Sequence, residues 1–144
     1  MLRGISPLIS PDLLDVLYRM GHGDEIVLAD AHFPSETMGS RVVRADGLRI
    51  VPLLDAILPL LVLDTFVESA VFMMETAPGD TAEPEVIHSY QSALARHCAS
   101  EPKVMLIERF AFYDKVRSES FAVVATGETA KYGNIILKKG VTPV

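Results

Sequence analysis

The stretch from Gly21 to Pro34 reads GHGDEIVLADAHFP. A histidine stands between two glycines, Ile26 to Ala29 is an unbroken apolar run, and Asp30 and His32 follow before Pro34. A short apolar run between polar ends reads as a short buried strand, Glu25 to Ala29. Ionisable residues at both ends of one raise the question of chemistry, because crevices in α/β sheets open at strand ends.

Upstream, Ser10-Pro11-Asp12 is a helix start: a capping hydroxyl, a proline at the first helical position, then an acid. Leu13, Leu14, Leu17 and Met20 form its apolar stripe, and Gly21 is expected to end it in a left-handed cap. Downstream, Asp30 to Ser40 reads as a loop, Arg41 to Val43 as extended, and Ala45-Asp46-Gly47 as a turn. Val51 to Leu61 reads as an apolar helix that Pro59 kinks or stops. Ala70 to Glu75 is a strand, and TAPGDTAEP, Thr76 to Pro84, a polar loop. Glu85 to Ala99 is an amphipathic helix with Val86, Tyr90, Ala93, Leu94 and His97 near one face. Lys103 to Ile107 is a strand, Arg109 to Arg117 a short aromatic helix, and Phe121 to Thr126 a strand. Gly127 to Lys131 is then a turn and Asn134 to Leu137 a final strand. Helices and strands interleave, so residues 1–144 are expected to form one three-layer α/β domain. Its central sheet should be mostly parallel or mixed and flanked by helices.

The 144 residues are 49% hydrophobic, with a mean hydropathy of +0.29. Both are high for a small soluble monomer, which must turn much of its chain to water. The richest stretch, Ile50 to Leu63, is broken by Asp55 and two prolines, so a membrane span is not expected. Self-association is expected instead, because small subunits can share buried surface. The net charge of −6 and the lack of a basic stripe exclude nucleic acid as the natural partner. Cys98 is the only cysteine, which excludes an internal disulfide framework and a thiolate metal cluster. The start, MLRGISPLIS, runs too quickly into Pro11 and Asp12 for a signal peptide, and a reducing cytoplasm fits this pattern.

Several residues could carry chemistry. His22 either meets the end of the preceding helix, where a cation is favoured, or serves as an acid/base imidazole on a flexible loop. Asp30 either makes a turn or capping bond or is a site carboxylate at a strand end. His32 could join His22 and Asp30 around a zinc ion, but the spacing matches no metal motif, so no metal is expected. Arg109 and Tyr113 stand four apart, on one face of a helix. Tyr132-Gly133-Asn134 precede the last strand with groups that can bond sugar hydroxyls and a ring face for sugar C–H surface. Phe110 and Phe112 are assigned to core or subunit-interface packing. Asp64 is either a cap or a further site carboxylate, and nothing local decides. No phosphate loop, dinucleotide fingerprint, serine-hydrolase elbow or C-x-x-C is present.

Four separated motifs in order resemble the family that fucose mutarotases share with ribose pyranases: ISPLISPDLLDVLYRMGHGDEIVLADAHFP, RADGL, ERFAFY and TGETAKYGNIILKKGV. Ala77 to Lys103 is the least diagnostic part. The resemblance implies interconversion of sugar anomers, L-fucose among them, without cofactor or metal. It also implies subunits in rings, often decamers, with sites shared across a subunit contact. By motif, His22 is the implied proton donor and Asp30 the implied partner of sugar hydroxyls. Arg109, Tyr132, Gly133 and Asn134 line the same pocket by resemblance. Tyr113 and Asp64 carry over from the animal members in particular. The ERF of Glu108 to Phe110 favours the fucose branch, since the bacterial ribose enzymes differ there. The rivals are a sugar-binding accessory or regulatory protein without turnover, and a purely structural oligomer.

Overall fold

The computed structural model describes residues 1–144. In chain order the elements are α1 (Pro11–Arg19), β1 (Glu25–Ala29), α2 (Ser35–Met38), β2 (Val42–Ala45), α3 (Ile50–Ile57) and β3 (Val71–Met74). They continue with α4 (Pro84–His97), β4 (Val104–Ile107), α5 (Arg109–Glu119), β5 (Ser120–Thr126) and β6 (Ile135–Lys138). One six-stranded sheet has the order β2-β5-β1-β6-β3-β4. β1 and β2 pair with β5 in parallel, as does β3 with β4. β6 runs antiparallel to both β1 and β3. The expected mixed sheet flanked by helices is what forms.

The apolar run of β1 alternates between two cores. Ile26 and Leu28 pack with Leu13 of α1, Leu54 of α3 and Leu94 of α4, while Val27 and Ala29 pack with Phe33 and with Phe112 and Val116 of α5. Every residue of β1 is buried, which is why the run shows no polar alternation. At the amino end of β1, buried Glu25 is met by Lys115 of α5 at 3.0 Å and Lys138 of β6 at 3.3 Å.

Several boundaries differ from the sequence reading. α1 starts as expected, with the Ser10 hydroxyl accepting from Leu13 N–H at 3.1 Å. It ends through an extended Met20 rather than a left-handed Gly21; the left-handed residue is Gly23, at φ 87°. α2 lies inside the segment read as loop, too short to show a helical period. β2 runs to Ala45, so the turn after it begins later than expected. α3 stops at Ile57, two residues before Pro59, whose missing N–H cannot extend the ladder. His97 does not join the apolar face of α4; its Nε2 meets Asp55 of α3 at 2.8 Å. Phe112 is fully buried, whereas Phe110 is 64% exposed in the single chain and is not a core residue.

The two phenylalanines should therefore separate in urea melts at a fixed protein concentration. Phe112→Ala leaves a cavity and should cost about 3–5 kcal/mol. Phe110→Ala removes little surface buried within the chain and should cost under about 1 kcal/mol of single-chain stability, read at concentrations low enough that subunits are apart. Equal losses would contradict the packing described.

Candidate active site

The direction of each strand decides which residues meet. β1 ends at Ala29, just before Asp30, and beside it β5 ends at Thr126, while β3 and β4 end at Met74 and Ile107. The antiparallel β6 begins beside those ends, with Asn134 just before its first residue. A cavity of about 480 Å³ opens there, lined by Asp30, His32, Arg109, Tyr113, Tyr132 and Asn134 among others. It lies outside the carboxyl ends of parallel strands, where α/β sheets bind ligands, and its volume is in the range of small-molecule sites.

Asp30 is its buried anchor, 4% exposed. Its N–H donates to the Asn134 side-chain oxygen at 2.8 Å. Its carboxylate accepts from His32 N–H at 2.9 Å and from Gly133 N–H at 3.1 Å, one on each oxygen. An ionised carboxylate offers about four lone-pair positions, so each oxygen keeps capacity for a ligand hydroxyl. Burial pushes the Asp30 carboxyl up from its ordinary value, against the pull of the two N–H groups.

Tyr132-Gly133-Asn134 wraps around this carboxylate. Tyr132 is the one non-glycine residue with a positive φ, 57°, which costs roughly 1 kcal/mol for an L-residue. Gly133 has to be glycine: a Cβ there would lie 2.8 Å from the Ala130 carbonyl oxygen. The buried Tyr90 hydroxyl donates to the Gly133 carbonyl at 2.8 Å and holds the turn from below. Across the cavity, Arg109 Nε donates to the Tyr113 hydroxyl at 3.3 Å, on the shared face of α5 that the spacing anticipates. Phe33 packs edge-on against Tyr113 at 5.5 Å between ring centres.

His22 and Asp64 are not in this cavity. Asp64 sits where its N–H donates to the carbonyl of Lys138, the last residue of β6, at the amino end of β1. His22 to Asp30 is eight residues of mostly extended chain, roughly 20 Å or more. Within one chain the expected site residues therefore form two groups, Asp30, Arg109, Tyr113, Tyr132, Gly133 and Asn134 at the carboxyl end of β1, and His22 with Asp64 at its amino end. The second group is a pair. His22 Nε2 lies 3.1 Å from Asp64 Oδ1, with side chains 47% and 3% exposed. Asp64 Oδ1 also accepts the Phe66 N–H at 3.0 Å, and this bond, ahead of the His22 contact, holds the Asp64 carboxyl below its usual value. Phe66, 78% exposed, leans over the imidazole with ring centres 5.5 Å apart. The reading of His22 as a partner of the α1 carboxyl end gives way to this pairing. The same separation leaves no three His, Cys, Asp or Glu side chains placed to hold a metal ion.

Residues 3–142 match the model of the RbsD / FucU transport protein family. The chain belongs to this family. It is 55% identical over 144 residues to an L-fucose mutarotase of Actinobacillus pleuropneumoniae, covering all of this chain and 99% of that one. A fucose mutarotase from Streptococcus pneumoniae solved in complex with L-fucose superposes with a TM-score of 0.93. It has 44% identity and covers 99% of this chain and 100% of its own. The Bacillus subtilis RbsD complexed with D-ribose shares the fold at a TM-score of 0.73 and 18% identity, covering 99% of this chain and 100% of its own. No helix is long and apolar enough to cross a membrane.

The residues that sequence reading passed over are Tyr90, Phe66 and Asp80. Tyr90 looks like a core residue, and only the fold shows its hydroxyl under Gly133. Phe66 stands two residues from Asp64 without any motif. Asp80 lies in a polar loop and contacts Tyr132.

The raised Asp30 value has a sign that can be checked. A carboxyl with a folded value above its unfolded one favours the folded chain at low pH, and that contribution is lost as pH rises through the folded value. Compared with Asp30→Asn, the wild type should therefore gain stability in urea melts as pH falls through the carboxylate range. A relative loss on acidification would show the folded value to be depressed instead.

Proposed function

We propose that this chain is a mutarotase that interconverts the α and β anomers of L-fucose by proton transfer alone. The observation that carries the reading is the polar cavity of Asp30, Arg109, Tyr132 and Asn134, in a chain 55% identical end to end to an L-fucose mutarotase. The Streptococcus pneumoniae relative holding L-fucose supports the choice of sugar.

In this reading each site combines two chains. One subunit offers the cavity at the carboxyl end of β1, and its neighbour offers the His22–Asp64 pair from the amino end. Exposed aromatics support such a head-to-tail contact: Phe66 stands on the His22 side, and Phe110 stands beside Arg109 on the other. A contact between unlike surfaces closes into a ring when the rotation permits, and a decameric ring is the assembly we assign.

The chemistry follows from the pair. Asp64 is acceptor-only when ionised, so it draws the imidazole proton onto Nε2 and leaves Nδ1 as the free nitrogen. Nδ1 takes the proton of the anomeric hydroxyl, whose oxygen becomes the aldehyde carbonyl as the bond from C1 to the ring oxygen breaks, and the imidazolium so formed returns that proton to the ring oxygen. The aldehyde carbon rotates and the steps reverse on its other face. Asp30, Asn134 and Arg109 hold the remaining hydroxyls so that the open chain recloses without leaving. Phe66 offers an apolar face beside the imidazole for the sugar's C–H surface.

Three measurements test this. His22→Gln should keep fold and assembly while anomer exchange, read by saturation-transfer NMR on L-fucose, falls roughly 10²–10⁴-fold. Wild-type exchange in that variant would remove His22 from the mechanism, and wild-type protein that binds L-fucose without speeding exchange would be a sugar-binding module. Asp30→Asn and Arg109→Ala should each weaken L-fucose binding by calorimetry, and unchanged affinity in both would misplace the cavity. Finally, inactive His22→Gln and Asp30→Asn chains, dissociated and reassembled together, should regain up to about a quarter of wild-type activity, because mixed contacts pair intact halves. A site within one chain regains none.

A further inference from the structure

The loop between β3 and α4 meets a residue of the cavity lining, Tyr132, through one side chain, Asp80. Ala77-Pro78-Gly79-Asp80 closes on itself, with Asp80 N–H donating to the Ala77 carbonyl at 3.1 Å and Gly79 at φ 82°. Proline second and a left-handed glycine third make a type II turn. The turn presents Asp80 to Lys131 and Tyr132, two residues of the cavity lining. There one carboxylate oxygen accepts from the Tyr132 hydroxyl at 2.6 Å. The other accepts from Lys131 Nζ at 2.8 Å and from Thr81 N–H at 2.8 Å.

Tyr132 needs such a partner. It sits in left-handed backbone ahead of β6, where no regular element sets the direction of its phenol. A phenol has one proton to give and lone pairs to accept with, so a free one presents either role to a ligand. Lys131 and Tyr132 hold the Asp80 carboxyl well below the usual carboxylate range, so it stays ionised and can only accept. The phenolic proton is thereby committed to Asp80.

We propose that Asp80 is a positioning residue of the sugar cavity: by taking the Tyr132 hydroxyl proton it aims the phenol and leaves its oxygen to accept a bond from a sugar hydroxyl. The proposal rests on the reading of the cavity as the sugar site. It makes Tyr132 an acceptor in recognition.

The test is steady-state anomer exchange on L-fucose by the assembled protein carrying Asp80→Asn, Asp80→Ala, Tyr132→Phe, or Tyr132→Phe with Asp80→Asn. Asp80 is on an exposed turn, so Asp80→Asn keeps shape, and circular dichroism and assembly mass check the fold. Asp80→Asn should raise KM about three- to tenfold with kcat within about twofold, as expected for loss of one charge-assisted bond acting through binding. Asp80→Ala should do at least as much. In the Tyr132→Phe background, Asp80→Asn should add less than about twofold, because the group it acts through is gone. A multiplicative double variant, or wild-type KM in both Asp80 variants, overturns the positioning role while leaving the cavity reading intact. Wild-type KM in Tyr132→Phe alone overturns both, since the phenol would then touch no sugar.

Discussion

Running β6 antiparallel between β1 and β3 is the constraint on which the arrangement of polar groups depends. A parallel strand in that place would begin beside Glu25 and end beside Ala29. Instead, Asn134 arrives next to Asp30, and Lys138 arrives next to Glu25. The first meeting creates a reciprocal clasp, Asp30 N–H on Asn134 and Gly133 N–H on Asp30. The second compensates a buried carboxylate with Lys115 and Lys138, and places Asp64 under His22 through the Lys138 carbonyl. One change of strand direction thus sorts the ionisable residues into two groups at opposite ends of one sheet.

The cavity's order comes from backbone groups more than from side chains. Asp30 spends one bond per oxygen on N–H groups of His32 and Gly133, and these make it rigid before any ligand arrives. Its burial opposes ionisation, and the two bonds offset part of that cost. The strained Tyr132 persists because its neighbours are held by Tyr90 from the core and by Asp30 from β1. Strain of this kind survives where surrounding contacts over-determine it, and it gathers where a side chain must be held in one direction.

How much of this could be read from the chain varies with the range of the interaction. β1 was legible because burial on both faces leaves an unbroken apolar run, and α1 because Ser10-Pro11 caps are local. Asp30, Arg109, Tyr113 and Asn134 were legible as candidates because strand ends and helical spacing are also local. The His22–Asp64 pair was not, since it spans 42 residues and depends on the path of β6. Neither was the separation of His22 from Asp30: spacing along the sequence says how far apart two residues are in the chain, while the function of each depends on which end of the sheet it occupies. Asp80 lay in between. Pro78-Gly79 signals a turn from sequence alone, but its aim at Tyr132, 52 residues away, does not. α2 left no signal because a single turn of helix has no period to detect.

The site divided between chains that we propose would suit a reaction with a modest barrier. Ring opening of a hemiacetal proceeds in water, and one positioned acid/base group worth roughly 10²–10⁴ in rate corresponds to about 3–5 kcal/mol. That much can come from an imidazole oriented by a single carboxylate, without a fully enclosed site. Division has a physical consequence of its own. The half proposed to bind is anchored on buried Asp30 and Asn134, turned over a glycine and held from the core by Tyr90, so it keeps its shape in the isolated chain. The half that carries the imidazole is 47% exposed and anchored by one bond to Asp64. In the two-chain site we propose, contact with a neighbour would remove water from His22 and Phe66 at the same moment that it closes the cavity, so assembly itself would supply the dry surroundings that strengthen proton transfer.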